Sequence, residues 1–512
     1  MALPGASIVE KGTKNGTSTD FDGKFSFEVS ETAKTVVVSF MGFVTQEIAI
    51  TNDPIKITLQ MSSATLDEVV VVGYGTQKKS VVTGAISAVK AKDIENLPSG
   101  RVEQALQGKV SGLTIAANAG QPGSASTIRV RGITTFTEAG NDPLWVIDGV
   151  IVDNGGVGFV NQSDIESVEV LKDAASLAIY GARAAGGVIL ITTKKGKSGK
   201  LNVGYSGYTG ISKAARTLNL LNATEYATLM NEQSVNGGGN IIYADPSSYG
   251  KGTDWQDAIF ADNAQRTSHE ISLSGGNDVS NFYASFGLQT QDGIVTPEIS
   301  SLTKKSMRLN STHKISKLFT AVQTLGYTHQ KTLNIGNTNA EQGGPLSSAL
   351  HLDPITPLVE TDPTKINGIP YIGNDVMKDE NGNPYGISSV VQNNMTNPLA
   401  YVKTRLGNYN WSDDLVGNAY LELAPMEGLK IRTTVGAKLS YWGFEGFTPM
   451  YYLNGDNIND ENSISRTMNK SFGWNNENII SYTKQINDHN FTVLLGQGVY
   501  IDNDAYGTST TY

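Results

Sequence analysis

The chain has no cysteine among its 512 residues. No disulfide framework and no thiolate metal site can form. Charged residues make up only 17% of it, below the share of about 25% usual in soluble domains. The formal net charge is −10, which argues against a nucleic-acid partner. No apolar run approaches the roughly 18 residues of a membrane-crossing helix. That does not exclude a β-barrel, whose strands need only about 9–11 residues of weak alternation. The start, Met1-Ala2-Leu3-Pro4-Gly5, lacks the basic flank and apolar segment of a secretion signal. For a secreted chain this implies a missing N-terminus.

Enzyme signals are equally sparse. The histidines are His269, His313, His329, His351 and His489, and none has His-Glu-x-x-His spacing. There is no Gly-x-Ser-x-Gly elbow, and Gly181 to Gly187 lacks the Lys-Ser/Thr of a P-loop. Asp148 and Asp153 read as turn residues rather than a catalytic pair. We expect no enzyme, no cofactor and no metal. Asn15, Asp20 and Asp22 can be read as a calcium loop, but the full ligand spacing and distal Glu are missing, so turn capping is the expectation.

What the chain does have is glycine (55 residues) and tyrosine (21, against 15 phenylalanines), and a succession of differently patterned regions. Residues 1–62 read as a small β-sandwich, with alternation at Phe25, Phe27 and Val29 and strands near 35–40, 46–50 and 55–59. Residues 63–79 hold four consecutive valines between acids and a Gly-Tyr-Gly break. Such a β-branched run prefers the extended state. The polar, basic residues Thr76 to Ser80 offer it no obvious pairing strand, so it is either a core strand of the preceding domain or a strand that a partner pairs by addition. Residues 80–198 mix strands with helical stretches, Ala91 to Gln107 among them, and read as an α+β domain. Within it, Thr127 to Ile133 alternates and places Arg129 and Arg131 on one strand face.

From 199 to 512 the pattern is long, two-faced strands. Leu429, Ile431, Val435, Ala437, Leu439 and Tyr441 alternate with Lys430, Arg432, Thr434, Lys438 and Ser440. Phe282, Ala284, Phe286 and Leu288 alternate with Tyr283, Ser285 and Gln289. Met307 and Leu309 alternate with Arg308, Asn310, Thr312 and Lys314. Short turns near 275–278, 315–317, 425–428 and 486–488 alternate with long loops near 215–265, 332–408 and 443–465. That asymmetry is the layout of an antiparallel transmembrane β-barrel, apolar toward lipid and polar toward the lumen. Arginines on a domain lodged in such a lumen need carboxylate partners. Glu422, on the polar face of its strand, is the candidate for Arg129 and Arg131.

The run Leu66-Asp67-Glu68-Val69-Val70-Val71-Val72-Gly73-Tyr74-Gly75-Thr76-Gln77-Lys78-Lys79 resembles the TonB-box region of SusC/RagA-like TonB-dependent outer-membrane transporters. Gln104 to Gly112, Ile128-Arg129-Val130-Arg131-Gly132, Asp142 to Val150, and Val170 to Gly181 continuing to Gly187–Gly196 resemble that family's plug. Gly16 to Phe25 resembles the carboxypeptidase-regulatory-like domain that precedes it. The resemblance is specific over residues 5–200 and architectural beyond. It implies a TonB-interacting strand at Leu66, Asp67, Glu68, Val69, Val70, Val71, Val72, Gly73 and Tyr74. It implies the TonB complex and a SusD-like lipoprotein as partners, outer-membrane lipid around the barrel, and import of an oligosaccharide or peptide in a Gram-negative outer membrane. A lid-less receptor for iron chelates or cobalamin, and a surface polysaccharide-binding protein, are the alternatives. The family's barrel has about 22 strands. The stretch after residue 200 supplies about nine, an incomplete arc, so the chain reads as a fragment lacking both ends.

Overall fold

The computed structural model describes residues 1–512 except 1–2, 4, 14, 31–32, 41–42, 44, 52–53, 60–68, 73–74, 79–85, 96, 98–100, 118, 137–138, 153–156, 174–176, 335–342, 392–393, 488 and 502–505. The chain divides into two compact units, Met1–Thr83 and Gly84–Tyr512.

In the first unit, strands β1 (Ser7–Glu10), β2 (Gly16–Ser18), β3 (Thr35–Ser39) and β4 (Gln46–Ala49) form an antiparallel sheet in the order β2-β1-β3-β4. Ile8, Val36 and Val38 are buried on one face under Phe25, Phe27, Ile48, Ile50, Ile57 and Leu59. Segments 25–29 and 55–59, expected as strands, cover this face without ladder pairing. The Asp20 carboxylate accepts from the backbone N–H groups of Asp22 (2.9 Å) and Lys24 (2.8 Å), and Asn15 donates to the Glu28 carbonyl (2.9 Å). These groups close turns, as the capping expectation holds. Further on, β5 (Val69–Val72) pairs with β6 (Gly75–Lys78).

The second unit begins with an α+β domain. Its sheet has the order β11-β10-β13-β12-β7, from β7 (Ile86–Lys90), β10 (Leu144–Ile147), β11 (Val150–Val152), β12 (Ile165–Leu171) and β13 (Val188–Thr193). Only β10 and β13 run parallel. A hairpin of β8 (Leu113–Ala117) and β9 (Ser126–Val130) completes the strands. The helical stretch expected over 91–107 is two short helices, Ala91–Ile94 and Val102–Ala105. Val102, Ala105 and Leu106 are buried with Trp145, Ile147, Val168, Val170 and Ile189 in one core.

The rest is one large antiparallel sheet. It comprises β14 (Gly199–Ser212), β15 (Ala264–Gly276), β16 (Ser280–Asp292), β17 (Ser301–Lys314), β18 (Phe319–Leu333), β19 (Tyr409–Met426) and β20 (Leu429–Thr448). After a small hairpin, β21 (Tyr451–Asn454) with β22 (Asn457–Asn459), it continues through β23 (Ser463–Ile486), β24 (His489–Ile501) and β25 (Tyr506–Thr511). β24 pairs with one half of β23, from Trp474 to Ile486, and β25 with the other, from Ser465 to Lys470. Ten strands therefore fill nine positions across the wall. Among the described residues the sheet is open: β14 and the β24–β25 position are its two edges.

The alternation expected from sequence is the two faces of this wall. Phe286 is 54% exposed and Met307 49%, whereas Arg308 is 4% exposed and Asn310 1%. The buried polar face looks onto the α+β domain, which sits in the concavity as a plug. Connections at one end are short, among them 277–279, 315–318 and 427–428. At the other end the long segments 213–263 and 334–408 fold against each other. Trp255 is buried with Ile259, Ala349 and Leu352, and its indole N–H donates to the Asp353 carbonyl at 2.9 Å.

Candidate functional site: the plug–wall seam and the valine hairpin

The Asp148-Gly149 pair makes the tight turn between β10 and β11, with φ of 48° and 89°. Positive φ at both central residues is the hairpin turn that Asp-Gly favours. The Asp148 side chain then serves a second purpose. Its carboxylate accepts from the Thr193 backbone N–H (2.9 Å) and hydroxyl (2.6 Å), closing the turn onto the end of β13. The same carboxylate lies 3.5 Å from the Arg308 guanidinium on β17.

Arg308 reaches a second plug carboxylate, Asp164, at 3.6 Å. Asp164 precedes β12 and is itself buried. It accepts from the Tyr283 hydroxyl (3.0 Å) and the Ser285 hydroxyl (2.5 Å) of β16. Next to Arg308 on the same face, Asn310 donates to the Thr193 hydroxyl (2.8 Å) and the Lys194 carbonyl (2.7 Å). One wall strand thus grips the C-terminal end of β13 together with the adjoining ends of β10 and β12. The Arg308 contacts are longer than direct hydrogen bonds, so the grip on the carboxylates is mainly coulombic. Removing one member of a buried charge cluster costs about 3–5 kcal/mol because the others are left uncompensated.

Around this centre the seam continues. Glu270 on β15 accepts from Asn161 and from Ser163 of the plug. Lys304 on β17 donates to the Gly158 carbonyl at 3.3 Å, near the buried Arg101–Glu103 pair (2.7 Å). The Thr328 hydroxyl donates to the Phe159 carbonyl at 2.7 Å, and Asn418 donates to the Asp148 carbonyl. Gly436 on β20 lets the β10–β11 hairpin approach. A Cβ there would lie 2.4 Å from Asn475 Oδ1 and 2.9 Å from Val150 Cγ2.

The expected plug–wall pair of Arg129 or Arg131 with Glu422 is corrected by the geometry. Arg129 forms its salt bridge with Asp142 of the plug itself. β9 ends at Val130, and Arg131 has turned out of the strand at φ 57°. Its guanidinium donates to the Lys172 carbonyl at 2.8 Å. Glu422 is taken within the wall by Arg432 (2.5 Å) and Lys430 (3.2 Å) on the neighbouring strand. Cross-strand partners on one face are closer than anything across the lumen. At the Arg308 centre the sign is reversed: the wall supplies the cation and the plug the carboxylates.

Two other plug groups have shifted titration. Lys172 donates to the Ser87 hydroxyl (2.6 Å) and the Ser111 carbonyl (2.5 Å), stapling β7 to the loop before β8. Burial, then the nearby Arg131 charge, hold its ammonium below the usual range. Glu169, opposite Ala88 of β7 and Leu190 of β13, has its carboxyl pushed up to about 7 by burial, against an opposing bond from Ser167.

Of the predicted docking segment, Leu66, Asp67, Glu68, Gly73 and Tyr74 lie outside the described residues. Val69 to Val72 form β5, and here the sequence expectation is overturned. The following residues do pair with it: Val69 opposes Lys78, Val70 opposes Gln77, Val71 opposes Thr76 and Val72 opposes Gly75. An isolated two-stranded hairpin is only marginally stable in water.

Residues 78–188 match the TonB-dependent Receptor Plug Domain, and residues 1–71 the CarboxypepD_reg-like domain. In sequence the chain is similar to a TonB-dependent receptor of Formosa agariphila, 34% identical over 99% of this chain and 49% of the relative. It is similar to TonB-dependent receptor SusC of Bacteroides thetaiotaomicron, 32% identical over 96% of this chain and 48% of the relative. In fold it resembles a chain of the RagAB peptide importer in its open-open state, with a TM-score of 0.70 and 22% identity over 87% of this chain and 50% of that one. The chain spans about half the length of the curated relatives it matches.

Proposed function

Because the chain belongs to the SusC/RagA-like TonB-dependent receptors, we propose that it serves energised import of a nutrient across the outer membrane. The observation that carries this reading is a plug held in a two-faced barrel wall by a charged seam, preceded in sequence by a valine strand. The substrate enters from the long-loop end. The energising TonB protein adds a strand to the Leu66–Tyr74 segment from the periplasm. Strand addition draws on main-chain groups, each pairing worth about 1 kcal/mol net, so six residues give several kcal/mol. Among the described residues β5 pairs on one edge, with β6, and its other edge is the one proposed for the partner.

The first plug strand after that segment is β7, at the edge of its sheet, held by five register pairs to β12. It lies at the opposite edge from the β10–β11 hairpin that carries Asp148. Tension arriving from residues 79–85 therefore loads β7 and the Lys172 staple before the Arg308 clamp. Peeling one edge strand opens a path while the clamp keeps the rest of the plug seated.

An oligosaccharide or a peptide is the proposed cargo, and a SusD-like surface lipoprotein the proposed lid. The SusC relative and the fold shared with a peptide importer support both. The test is uptake of labelled oligosaccharides and peptides by cells producing the receptor that contains this chain, with and without TonB, together with affinity purification. TonB-dependent uptake and a co-purifying lipoprotein are expected. Uptake of iron chelates or cobalamin with no lipoprotein would favour the lid-less receptor. Binding without uptake would favour a surface polysaccharide-binding protein.

A further inference from the structure

We propose that the outward face of the wall, where its apolar band meets the long loops, binds the phosphorylated headgroup of an outer-leaflet glycolipid. The proposal rests on the outer-membrane reading above. Strand register sets one row across five strands. Lys305 on β17 opposes His329 on β18, His329 opposes Asp413 on β19, Asp413 opposes Tyr441 on β20, and Tyr441 opposes Lys470 on β23. Two residues nearer the long loops, Lys331 opposes Trp411. All share the face of the exposed Met307, Tyr327 and Leu415, so they point away from the plug.

Ammonium groups are costly within hydrocarbon and settle at its boundary, where aromatic rings also concentrate. Here the rings hold the cations in place. Lys331 Nζ lies 3.9 Å from the Tyr409 ring centre and Lys470 Nζ 5.7 Å from that of Tyr441. Lys305 is exposed at the β17 end of the row, roughly 19 Å across four strand spacings from Lys470. The carboxylate in the row, Asp413, is occupied from its neighbours. It accepts from the Tyr327 hydroxyl at 2.6 Å and lies 2.9 Å from His329 Nδ1. A second carboxylate, Glu445, opposes Tyr409 beyond this row and is matched by Arg466 at 3.7 Å, so the three ammonium groups against Asp413 leave the patch positive. Directly below lies the apolar band, continued by Leu309, Leu325 and Leu439. An anion at this height, joined to chains lying over that band, is a phosphorylated amphiphile of the outer leaflet. Charge and apolar surface are both needed, which favours a lipid headgroup over free phosphate.

The test measures lipid retained by the receptor containing this chain, using native mass spectrometry after exposure to diphosphoryl lipid A or to the same lipid dephosphorylated. The variant is Lys305→Gln/Lys331→Gln/Lys470→Gln. The control is Lys484→Gln, on the same outward face at the short-turn end. Barrel folding is checked by heat-modifiable migration. The wild type and the control are expected to retain the phosphorylated lipid in preference. The triple variant should lose roughly a hundredfold, about fivefold per lysine. Equal retention by the triple variant, or equal retention of the dephosphorylated lipid by the wild type, would overturn the proposal. Loss of import with lipid retention intact would count against the transport reading alone, whereas failure to fractionate with the outer membrane would remove both.

Discussion

The Arg308→Met substitution isolates the clamp. It keeps most of the side-chain volume while removing the cation that lies 3.5 Å from Asp148 and 3.6 Å from Asp164. Asp148 and Asp164 then lose their shared cation, and Asp164 stays buried among Tyr283, Ser285 and a third seam carboxylate, Glu270. At an effective dielectric constant near 20, each lost attraction is about 4 kcal/mol before solvation is counted. Part of this is offset because the arginine no longer has to be desolvated, leaving about 3 kcal/mol at the low end of the range for a broken buried cluster. If plug opening is sub-global, amide exchange in peptides covering 144–152 and 162–171 should accelerate roughly 100-fold. The assay is hydrogen–deuterium exchange of the receptor in micelles, with strands β18–β20 as internal reference. Adding Asp148→Asn to Arg308→Met should recover part of the protection, since it removes one of the unpaired charges. Exchange in these peptides indistinguishable from wild type would refute the clamp. Equal acceleration everywhere would mean that the substitution damages the wall rather than the seam.

Glu169 gives a pH dependence. Its folded carboxyl titrates at about 7 because burial disfavours the anion, above the unfolded value. The fold therefore binds the proton more tightly. The stabilisation is complete below the unfolded value of 4.5 and is lost as pH rises to about 7. The loss amounts to about 3 kcal/mol of plug stability. Glu169→Gln should flatten this dependence and protect β7 and β12 at pH 8; urea titrations at pH 5 and pH 8 that change in parallel for both proteins would contradict it. Trp255→Ala removes the centre of the outer-loop core and should cost about 3–5 kcal/mol. Proteolysis should then cut segments 213–263 and 334–408 while sparing the plug, and simultaneous loss of the plug would show that the loops do not fold as a separate layer.

The wall was legible because its faces differ in composition. Met307-Arg308-Leu309-Asn310 already assigns Arg308 and Asn310 inward, and Leu429 to Tyr441 continues as strand to Thr448. The Asp148-Gly149 turn was legible for the same local reason. The identity of the seam was not. Asp164 sits before β12 in a 3₁₀ turn that carries no motif, and its pairing with Arg308 spans 144 positions of sequence between residues 164 and 308. Alternation says that a side chain faces inward but not which plug carboxylate meets it. Arg129 and Arg131 misled because charge invites a distant partner, whereas Asp142 and the Lys172 carbonyl lay closer within the same domain. The β5–β6 pairing was missed because only Thr76 of Gly75-Thr76-Gln77-Lys78 favours a strand. Pairing with the neighbouring valines imposes the strand on it, a case of context outweighing propensity.

We propose β5 as the docking strand for an energising partner. Val70→Pro removes the Val70 backbone donor in the middle of that strand and restricts its neighbour, while leaving the plug and wall unchanged. The decisive measurement compares substrate binding with TonB-dependent uptake by the receptor carrying this substitution. Uptake should fall to the level seen without TonB while binding at the outer surface stays at its wild-type value. Uptake at the wild-type rate would contradict the account.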